Sequence, residues 1–133
     1  MIGLVVATHG NLGSELLKSA QMIIGPVVNA RAVCITQDSS MEAIRETIAG
    51  ALAEVGKDGH GVIIVTDMFG GTPANVSMTF LEPQIVEVMT GVNLPMILKF
   101  FNSQESLGLD ELAGILKSYG QQSIALASEY LQR

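Results

Sequence analysis

Four apolar segments rich in Val and Ile recur along the chain, and a helical pattern follows each of them. The segments are IGLVVA, ARAVCIT, GVIIVTD and QIVEVMT, which begin at residues 2, 30, 61 and 84. GVIIVTD is unbroken, which predicts a strand buried on both faces. Alternation of strands and helices favours a parallel sheet with helices on both sides, because the crossovers are right-handed. The sequence therefore predicts an α/β fold, a three-layer α/β/α sandwich.

Helical periodicity and end signals define the predicted helices. The first pattern runs from Leu12 to Ile24 and is closed by Gly25 and Pro26, a helix stop signal. The stretch Ser39-Ser40-Met41-Glu42 is typical of a capping box, and apolar residues recur behind it as far as Val55. Further helical patterns cover residues 93–102 and 109–119, and the tail QQSIALAS from residue 121 is predicted to form a last short strand.

Size, charge and cysteine content narrow the class of protein. A chain of 133 residues, 48% of them hydrophobic, suits one compact domain spanning residues 1–133. A net charge of −6 argues against binding to nucleic acid or to an anionic membrane surface. The lone cysteine, Cys34, cannot form an internal disulfide, so we expect a small core residue in a cytoplasmic protein.

Three polar clusters follow predicted strands at the point where each strand ends. They are Thr8-His9-Gly10, Asp67–Pro73 and Thr90–Pro95. The carboxyl ends of parallel strands meet at one edge of a sheet, and function in such sheets lies there. We therefore expect all three clusters to share this carboxyl edge, with His9 at a reactive position.

His9 and Asp67 are the candidate reactive pair. An imidazole can act as a nucleophile, a base or a metal ligand, and a carboxylate bonded to one ring nitrogen would fix its tautomer. A metal site is not expected, because no second histidine or cysteine is well placed. His60 precedes the third strand and is expected in a solvated loop at the opposite edge. The competing interpretations are a histidine that only hydrogen-bonds its loop and an aspartate that only caps a turn.

The segment GGTP at residues 70–73 is a candidate phosphate site. Gly70 and Gly71 permit a tight turn with exposed N–H groups, Thr72 can cap the next helix, and Pro73 suits its first position. Free N–H groups at a helix start bind phosphate oxygens, although an ordinary strand-to-helix turn has the same composition. The lysine and the spacing of a P-loop are absent.

Basic residues are absent from all three clusters. No Lys or Arg precedes Lys18, and none lies between Lys57 and Lys99. A site that hydrolyses phosphate esters or holds a nucleotide is expected to carry a cation. The pattern instead favours a site that holds a phosphoryl group briefly and then releases it.

The combination of ATHG, DMFGGTP and TGVNLPM, at residues 7, 67 and 90, resembles the enzyme IIA domain of the mannose family of the bacterial phosphotransferase system. The resemblance covers nearly the whole chain. It implies a phosphotransferase without a cofactor, in which Nε2 of His9 accepts a phosphoryl group from the carrier HPr while Asp67 holds the other ring nitrogen. The group would pass to an EIIB domain and then to a sugar entering through the EIIC/EIID permease.

The resemblance also implies partner contacts and an assembly. A homodimer is implied, in which the last strand is exchanged between subunits, and residues 121–127 fit that strand. We expect a cytoplasmic protein, peripheral to the membrane through the permease complex. The residues expected to contact phosphoryl-transfer partners are Thr8, Gly10, Met68, Phe69, Asn93 and Met96.

Three other functions remain open at this stage. A histidine phosphatase or mutase would place an arginine directly before its nucleophilic histidine, where this chain has Thr8. A phosphoryl donor subunit of a dihydroxyacetone kinase would share the fold and the histidine, but a different loop than FGGTP is expected there. A regulatory phosphohistidine protein of an incomplete phosphotransferase system would use the same histidine chemistry as a transport component.

Overall fold

A parallel sheet forms the centre of the protein. The computed structural model describes residues 1–131, and within them the sheet has four strands in the order β2-β1-β3-β4. Every neighbouring pair is parallel, and each predicted apolar segment corresponds to one strand, although β1 extends beyond its segment through Thr8 and His9. The strands are β1 (Gly3–His9), β2 (Ala30–Ile35), β3 (Val62–Thr66) and β4 (Val86–Thr90).

Helices connect the strands and follow the last one. The first two predicted helices have the expected bounds, and α4 and α5 begin within one residue of their predicted starts. No helix within residues 1–131 is both long and apolar enough to cross a membrane. The helices are α1 (Leu12–Ile24), α2 (Met41–Val55), α3 (Thr72–Met78), α4 (Leu94–Ser103), α5 (Leu109–Gln122) and α6 (Ala127–Tyr130).

The helices pack on both faces of the sheet, which confirms the three-layer α/β/α sandwich. Side chains alternate along a strand, so β3 sends Ile63 and Val65 to one face and Ile64 to the other. The first face packs against α1, α4 and α5, with Phe100 fully buried at its centre. The second face packs against α2 and α3. β3 is buried at every residue, as predicted.

The predicted strand at residues 121–127 is wrong within this chain. Helix α5 continues through Gln122, further than the sequence pattern indicated, and Ser123 ends it with its backbone N–H and its hydroxyl both bonded to the carbonyl oxygen of Tyr119. Only residues 124–126 lie between α5 and α6 without regular structure. An exchange of this segment between subunits therefore stays a prediction.

Two smaller expectations are also wrong. Cys34 is exposed and does not belong to the core, because β2 is an edge strand and leaves part of its surface uncovered. The capping box is displaced by one residue: Ser40, and not Ser39, caps α2 by accepting a hydrogen bond from the N–H of Ala43. Ser39 instead bonds the backbone N–H of Thr36.

The hydroxyl of Thr8 holds the start of α1 against β1. Thr8 is fully buried, and its Oγ1 accepts a 2.8 Å hydrogen bond from the N–H of Gly13 in the first turn of the helix. The N-cap residue, Asn11, makes no side-chain cap bond, so Thr8 provides an acceptor that the helix otherwise lacks. The expectation that Thr8 contacts a partner is therefore wrong, because its side chain faces inward.

Replacing Thr8 by valine is expected to lower the free energy of unfolding by about 1–3 kcal/mol, since the N–H of Gly13 would stay buried without an acceptor. Thr66→Val is the matched control, because Thr66 is equally buried near the end of the adjacent strand and its hydroxyl has no partner within residues 1–131. This second replacement should leave stability unchanged or raise it. Urea unfolding measures both, and equal losses would contradict the assignment.

Candidate functional site

The connections of the sheet bring His9 and Asp67 to the same place. From β1 the chain passes to β2 on one side, whereas from β3 it passes to β4 on the other. Such a divergence leaves a crevice at the carboxyl ends of the two central strands, where ligands bind in open α/β sheets. His9 is the last residue of β1, and Asp67 directly follows β3.

The two side chains are in direct contact. His9 Nδ1 lies 2.8 Å from Asp67 Oδ2, and the backbone N–H of His9 donates to the same oxygen at 3.1 Å. The other carboxylate oxygen accepts from the backbone N–H of Met68 at 3.1 Å. An ionised carboxylate can only accept hydrogen bonds, so Nδ1 carries a proton and, in the neutral ring, Nε2 keeps its lone pair. This arrangement sets the tautomer that a nucleophilic Nε2 requires.

Exposure differs sharply between the two side chains. His9 is 51% exposed, whereas Asp67 is only 13% exposed. Partial burial raises the pKa of Asp67, but the hydrogen bonds from the His9 ring and backbone, together with charge attraction, outweigh it and hold the pKa below its ordinary value. The carboxylate is therefore ionised at neutral pH beneath a ring that a visiting molecule can reach.

The loop after Asp67 places peptide backbone beside the imidazole. Gly70 has φ +86°, a left-handed conformation that favours glycine. Gly71 is the N-cap of α3, and a Cβ there would lie 2.7 Å from Cε1 and 3.3 Å from Nε2 of His9. Thr72 is the first residue of α3, so the expectation that it caps this helix is wrong. The helix begins one residue earlier than expected, and Pro73 is tolerated within its first turn.

The third polar cluster closes over the end of β3. The backbone N–H groups of Gly91 and Val92 both donate to the carbonyl oxygen of Thr66 at 3.0 Å. Asn93 caps α4 through the N–H of Met96 and donates through Nδ2 to the carbonyl oxygen of Gly120. Asn93 therefore has a structural role, since it caps α4 and links its start to α5. This role was not predicted from the sequence.

The residues expected to contact partners divide into exposed and buried sets. Met68 and Phe69 are 53% and 73% exposed, and Gly10 is also on the surface. Met96 is only 4% exposed and packs in the core against the first face of the sheet. The expectation of a partner contact by Met96 is therefore wrong, because its position in α4 turns it inward.

A groove beside His9 is the part of the site that sequence reasoning missed. Its volume is about 580 Å³, and the loop between β2 and α2 forms one wall. That loop also follows the carboxyl end of a strand, so the rule that located the other three clusters could have found it. The lining includes His9, Ile35, Gln37, Met41, Ile44 and Thr72.

Basic side chains do not contact the reactive pair. Within residues 1–131, no Lys or Arg makes a hydrogen bond or an ion pair with His9 or Asp67. The same range contains no group of three or more His, Cys, Asp or Glu side chains arranged to hold a metal ion. The contacts that basic side chains do make are Lys18 with Glu15, Arg31 with Glu54, Arg45 with Thr79 and Phe80, and Lys99 with Tyr119.

Comparisons with known proteins show which family the chain resembles. A family model described as EIIA-man, PTS system fructose IIA component, matches residues 3–116. The chain is 34% identical, over its whole length and 91% of the relative, to the PTS system fructose-specific EIIA component of Bacillus subtilis (strain 168). It is 28% identical to the PTS system mannose-specific EIIAB component of Escherichia coli (strain K12), a match that covers 92% of this chain but only 38% of that relative.

A solved structure shows the same fold. The mannose/sorbose specific IIA subunit of the phosphotransferase system from Enterococcus faecalis superposes with a TM-score of 0.80 at 30% identity, covering 93% of this chain and 92% of that one. The family model, the fold and the similar proteins all indicate the same family. The chain belongs to the EIIA-man family, the fructose and mannose type of IIA component of the phosphotransferase system.

Proposed function

We propose that this chain is a phosphoryl carrier, in which Nε2 of His9 accepts a phosphoryl group from phospho-HPr and passes it to an EIIB domain. The observation that carries the proposal is the 2.8 Å contact between Nδ1 of His9 and Asp67 beneath a half-exposed ring. A proton held on Nδ1 leaves the lone pair of Nε2 free for attack on phosphorus.

The proposed step exchanges one bond to phosphorus for another. The lone pair of Nε2 forms the new bond as the bond between phosphorus and the donor breaks, and the electron pair of the broken bond stays with the donor. The imidazole of His9 gains positive charge, because Nδ1 keeps its proton. Asp67 stabilises that charge through the hydrogen bond that it already accepts. Transfer to EIIB reverses the step with a new acceptor, so His9 is regenerated.

Backbone amides are proposed to hold the phosphoryl oxygens during transfer. Gly70, Gly71 and Thr72 are the residues concerned, and Gly71 lies so close to the imidazole that a Cβ there would be 3.3 Å from Nε2. Neutral amides orient an anion without the strong attraction of a fixed cation, which suits a group that must leave again. The partner would supply any cation and, by alignment with the donor, most of the rate.

The surface around His9 suits protein partners. Met68 and Phe69 project apolar side chains beside the reactive pair, and the groove continues across Met41. Exposed aromatic and Met side chains are typical of protein interfaces. The net charge of −6 favours partners whose docking surface is basic. We propose that HPr and EIIB use this surface in turn.

The relatives are named for different sugars, which supports a carrier that does not choose the sugar. Chains that match this one over at least 92% of its length carry the names fructose-specific, mannose-specific and mannose/sorbose specific. We propose that specificity lies in the EIIC/EIID permease. A regulatory output would use the same phosphorylated His9 but would not require an EIIB acceptor.

The experiment that tests this function is incubation of the protein with phosphoenolpyruvate, enzyme I and HPr. We expect one acid-labile phosphate per chain, no incorporation when HPr is omitted, and loss of the label when an EIIB domain is added. Intact-protein mass spectrometry and acid treatment measure the outcome. No incorporation with an active enzyme I and HPr mixture would contradict the carrier, whereas a label that EIIB cannot remove would favour the regulatory output.

We further propose a homodimer in which residues 124–126 of one subunit, the part of the predicted segment 121–127 that lies between α5 and α6, lie along β4 of the other subunit. The outer edge of β4 pairs with no strand within residues 1–131, and such open edges are normally covered. A groove of about 330 Å³ lies beside that edge between Met89 and Gly120. Ile124 and Leu126, in the candidate exchanged segment, are 78% and 62% exposed and lack apolar cover.

Sedimentation equilibrium is expected to give twice the chain mass of 14.1 kDa. Ile124→Asp combined with Leu126→Asp should shift the equilibrium towards the monomer, because two charges would be buried in the interface. Met22→Asp is the matched control, since Met22 is 87% exposed on α1, away from this edge. A monomeric parent protein, or equal behaviour of both variants, would contradict the exchanged segment.

A further inference from the structure

Gly70 and Gly71 lie beside His9, and each position favours glycine for a different physical reason. Gly70 has φ +86°, and a Cβ there would meet nothing within 4 Å, so its backbone conformation alone favours glycine. Gly71 has φ −88° and ψ 169°, an extended conformation that any residue adopts. The backbone therefore gives no reason for glycine at position 71.

Helix capping permits a glycine at position 71 but does not require one, because Thr is about as favourable there and Ser, Asp and Asn are more favourable. It is the N-cap of α3 and makes no side-chain cap bond. Ser, Thr, Asp and Asn are favoured at this position over most residues because their side chains accept a hydrogen bond from the first turn. The stability of α3 alone would thus be served at least as well by a polar side chain.

The imidazole of His9 does explain the missing side chain. A Cβ at Gly71 would lie 2.7 Å from Cε1, closer than the 3.0 Å below which some atom must move, and 3.3 Å from Nε2. The ring cannot move away freely, because Nδ1 is bonded to Asp67 at 2.8 Å. Any Cβ would therefore strain that hydrogen bond or turn the ring, and it would also crowd the side of the ring that carries Nε2.

We propose that Gly71 is a positioning residue for phosphoryl transfer. Its lack of a Cβ lets the ring of His9 remain on Asp67 while Nε2 stays open to the groove. The effect on transfer rests on the proposed carrier function, whereas the effect on the ring does not.

The test compares Gly71→Ala with Gly108→Ala in the full chain. Gly108 is the N-cap of α5 with φ −76° and ψ 165°, and a Cβ there would meet nothing within 4 Å. Both variants make the same chemical change at the same helix position with nearly the same backbone conformation. A difference between them in the signals of the His9 ring therefore reports the close approach of Gly71 to His9.

Nitrogen NMR of the histidine rings is the first measurement. We expect Gly71→Ala to shift the His9 Nδ1 and Nε2 resonances, and Gly108→Ala to leave them unchanged. Transfer from phospho-HPr is the second measurement. A displacement of about 1 Å can lower a rate about 100-fold, so we expect a loss of this order in kcat for Gly71→Ala with little change in KM.

The outcomes separate this inference from the carrier function. Unchanged His9 resonances in folded Gly71→Ala would overturn the positioning role, whether or not the parent protein takes up phosphate. Shifted resonances in a chain that never takes up phosphate would support the contact and contradict the carrier. Should Gly71→Ala fail to fold, a strong NOE between the α protons of Gly71 and Hε1 of His9 in the parent protein is expected, and its absence would overturn the inference.

Discussion

His9→Ala is expected to reduce phosphate incorporation to background in the reaction with phosphoenolpyruvate, enzyme I and HPr. The variant removes the proposed nucleophile, the imidazole that Asp67 holds in a fixed tautomer at the carboxyl edge. Without the imidazole, phospho-HPr would still dock on the protein, but no atom would be in place to accept the phosphoryl group. Time courses of labelled phosphate and intact-protein mass measure the loss, which we expect to exceed about 1,000-fold in rate.

His60→Ala is the matched control for this prediction. His60 is also exposed, but it lies before β3 at the opposite end of the sheet, with Nδ1 2.8 Å from the amino nitrogen of Met1. We expect incorporation at the parent rate. The unfolding free energy of His9→Ala should stay close to that of the parent, which would show that the loss is chemical. Label retained by His9→Ala, or found on His60, would remove His9 from the proposed reaction.

The strands, most helices and the placement of His9 and Asp67 at one edge of the sheet were predictable from the sequence. Strong local patterns determine β1 to β4, and the rule for parallel sheets then places the residues that follow them at one edge. His9 and Asp67 are 58 residues apart in the chain. Their contact also requires β1 and β3 to be neighbours, which the strand order of the sheet shows and which the alternation of strands and helices does not determine.

The direction of individual side chains was not predictable in the same way. Thr8 lies in β1 next to His9 and Met96 lies in the first turn of α4, yet both are buried. Thr8 turns inward because the first turn of α1 passes over it, and Met96 because α4 lays one face on the sheet. Cys34 was misplaced for a related reason, since only the strand order shows that β2 is an edge.

The contact at Gly71 shows a further limit of sequence patterns. A sequence pattern such as GGTP indicates a turn, but it does not tell which glycine serves the backbone and which one makes room for a neighbour. The dihedral angles separate Gly70 from Gly71, and the distance to His9 supplies the reason for the second. The geometry of the site therefore depends on the absence of a side chain at Gly71 as well as on the side chains of His9 and Asp67.

Asp67→Asn is expected to lower the transfer rate by about 100- to 10,000-fold while the chain keeps its fold. The amide has the shape of the carboxylate, and its oxygen can still accept from the ring and backbone of His9. It cannot stabilise the positive charge that the ring gains, and with its NH₂ group turned towards Nδ1 it would place the proton on Nε2 and block attack. Single-turnover transfer from phospho-HPr, with ring nitrogen NMR for the tautomer, measures both effects.

The difference in stability between the parent protein and this variant should depend on pH in a defined direction. Because the pKa of folded Asp67 is lowered, the ionised carboxylate stabilises the parent protein above the unfolded pKa of about 4, and this contribution is lost as the pH falls through the folded value. The difference in unfolding free energy between parent and Asp67→Asn should therefore be largest near neutral pH and shrink in acid. Asp110→Asn, an exposed position in α5, is the control and should keep the parent transfer rate. A parent-like rate for Asp67→Asn would remove the carboxylate from the mechanism, even if the stability difference followed the expected course.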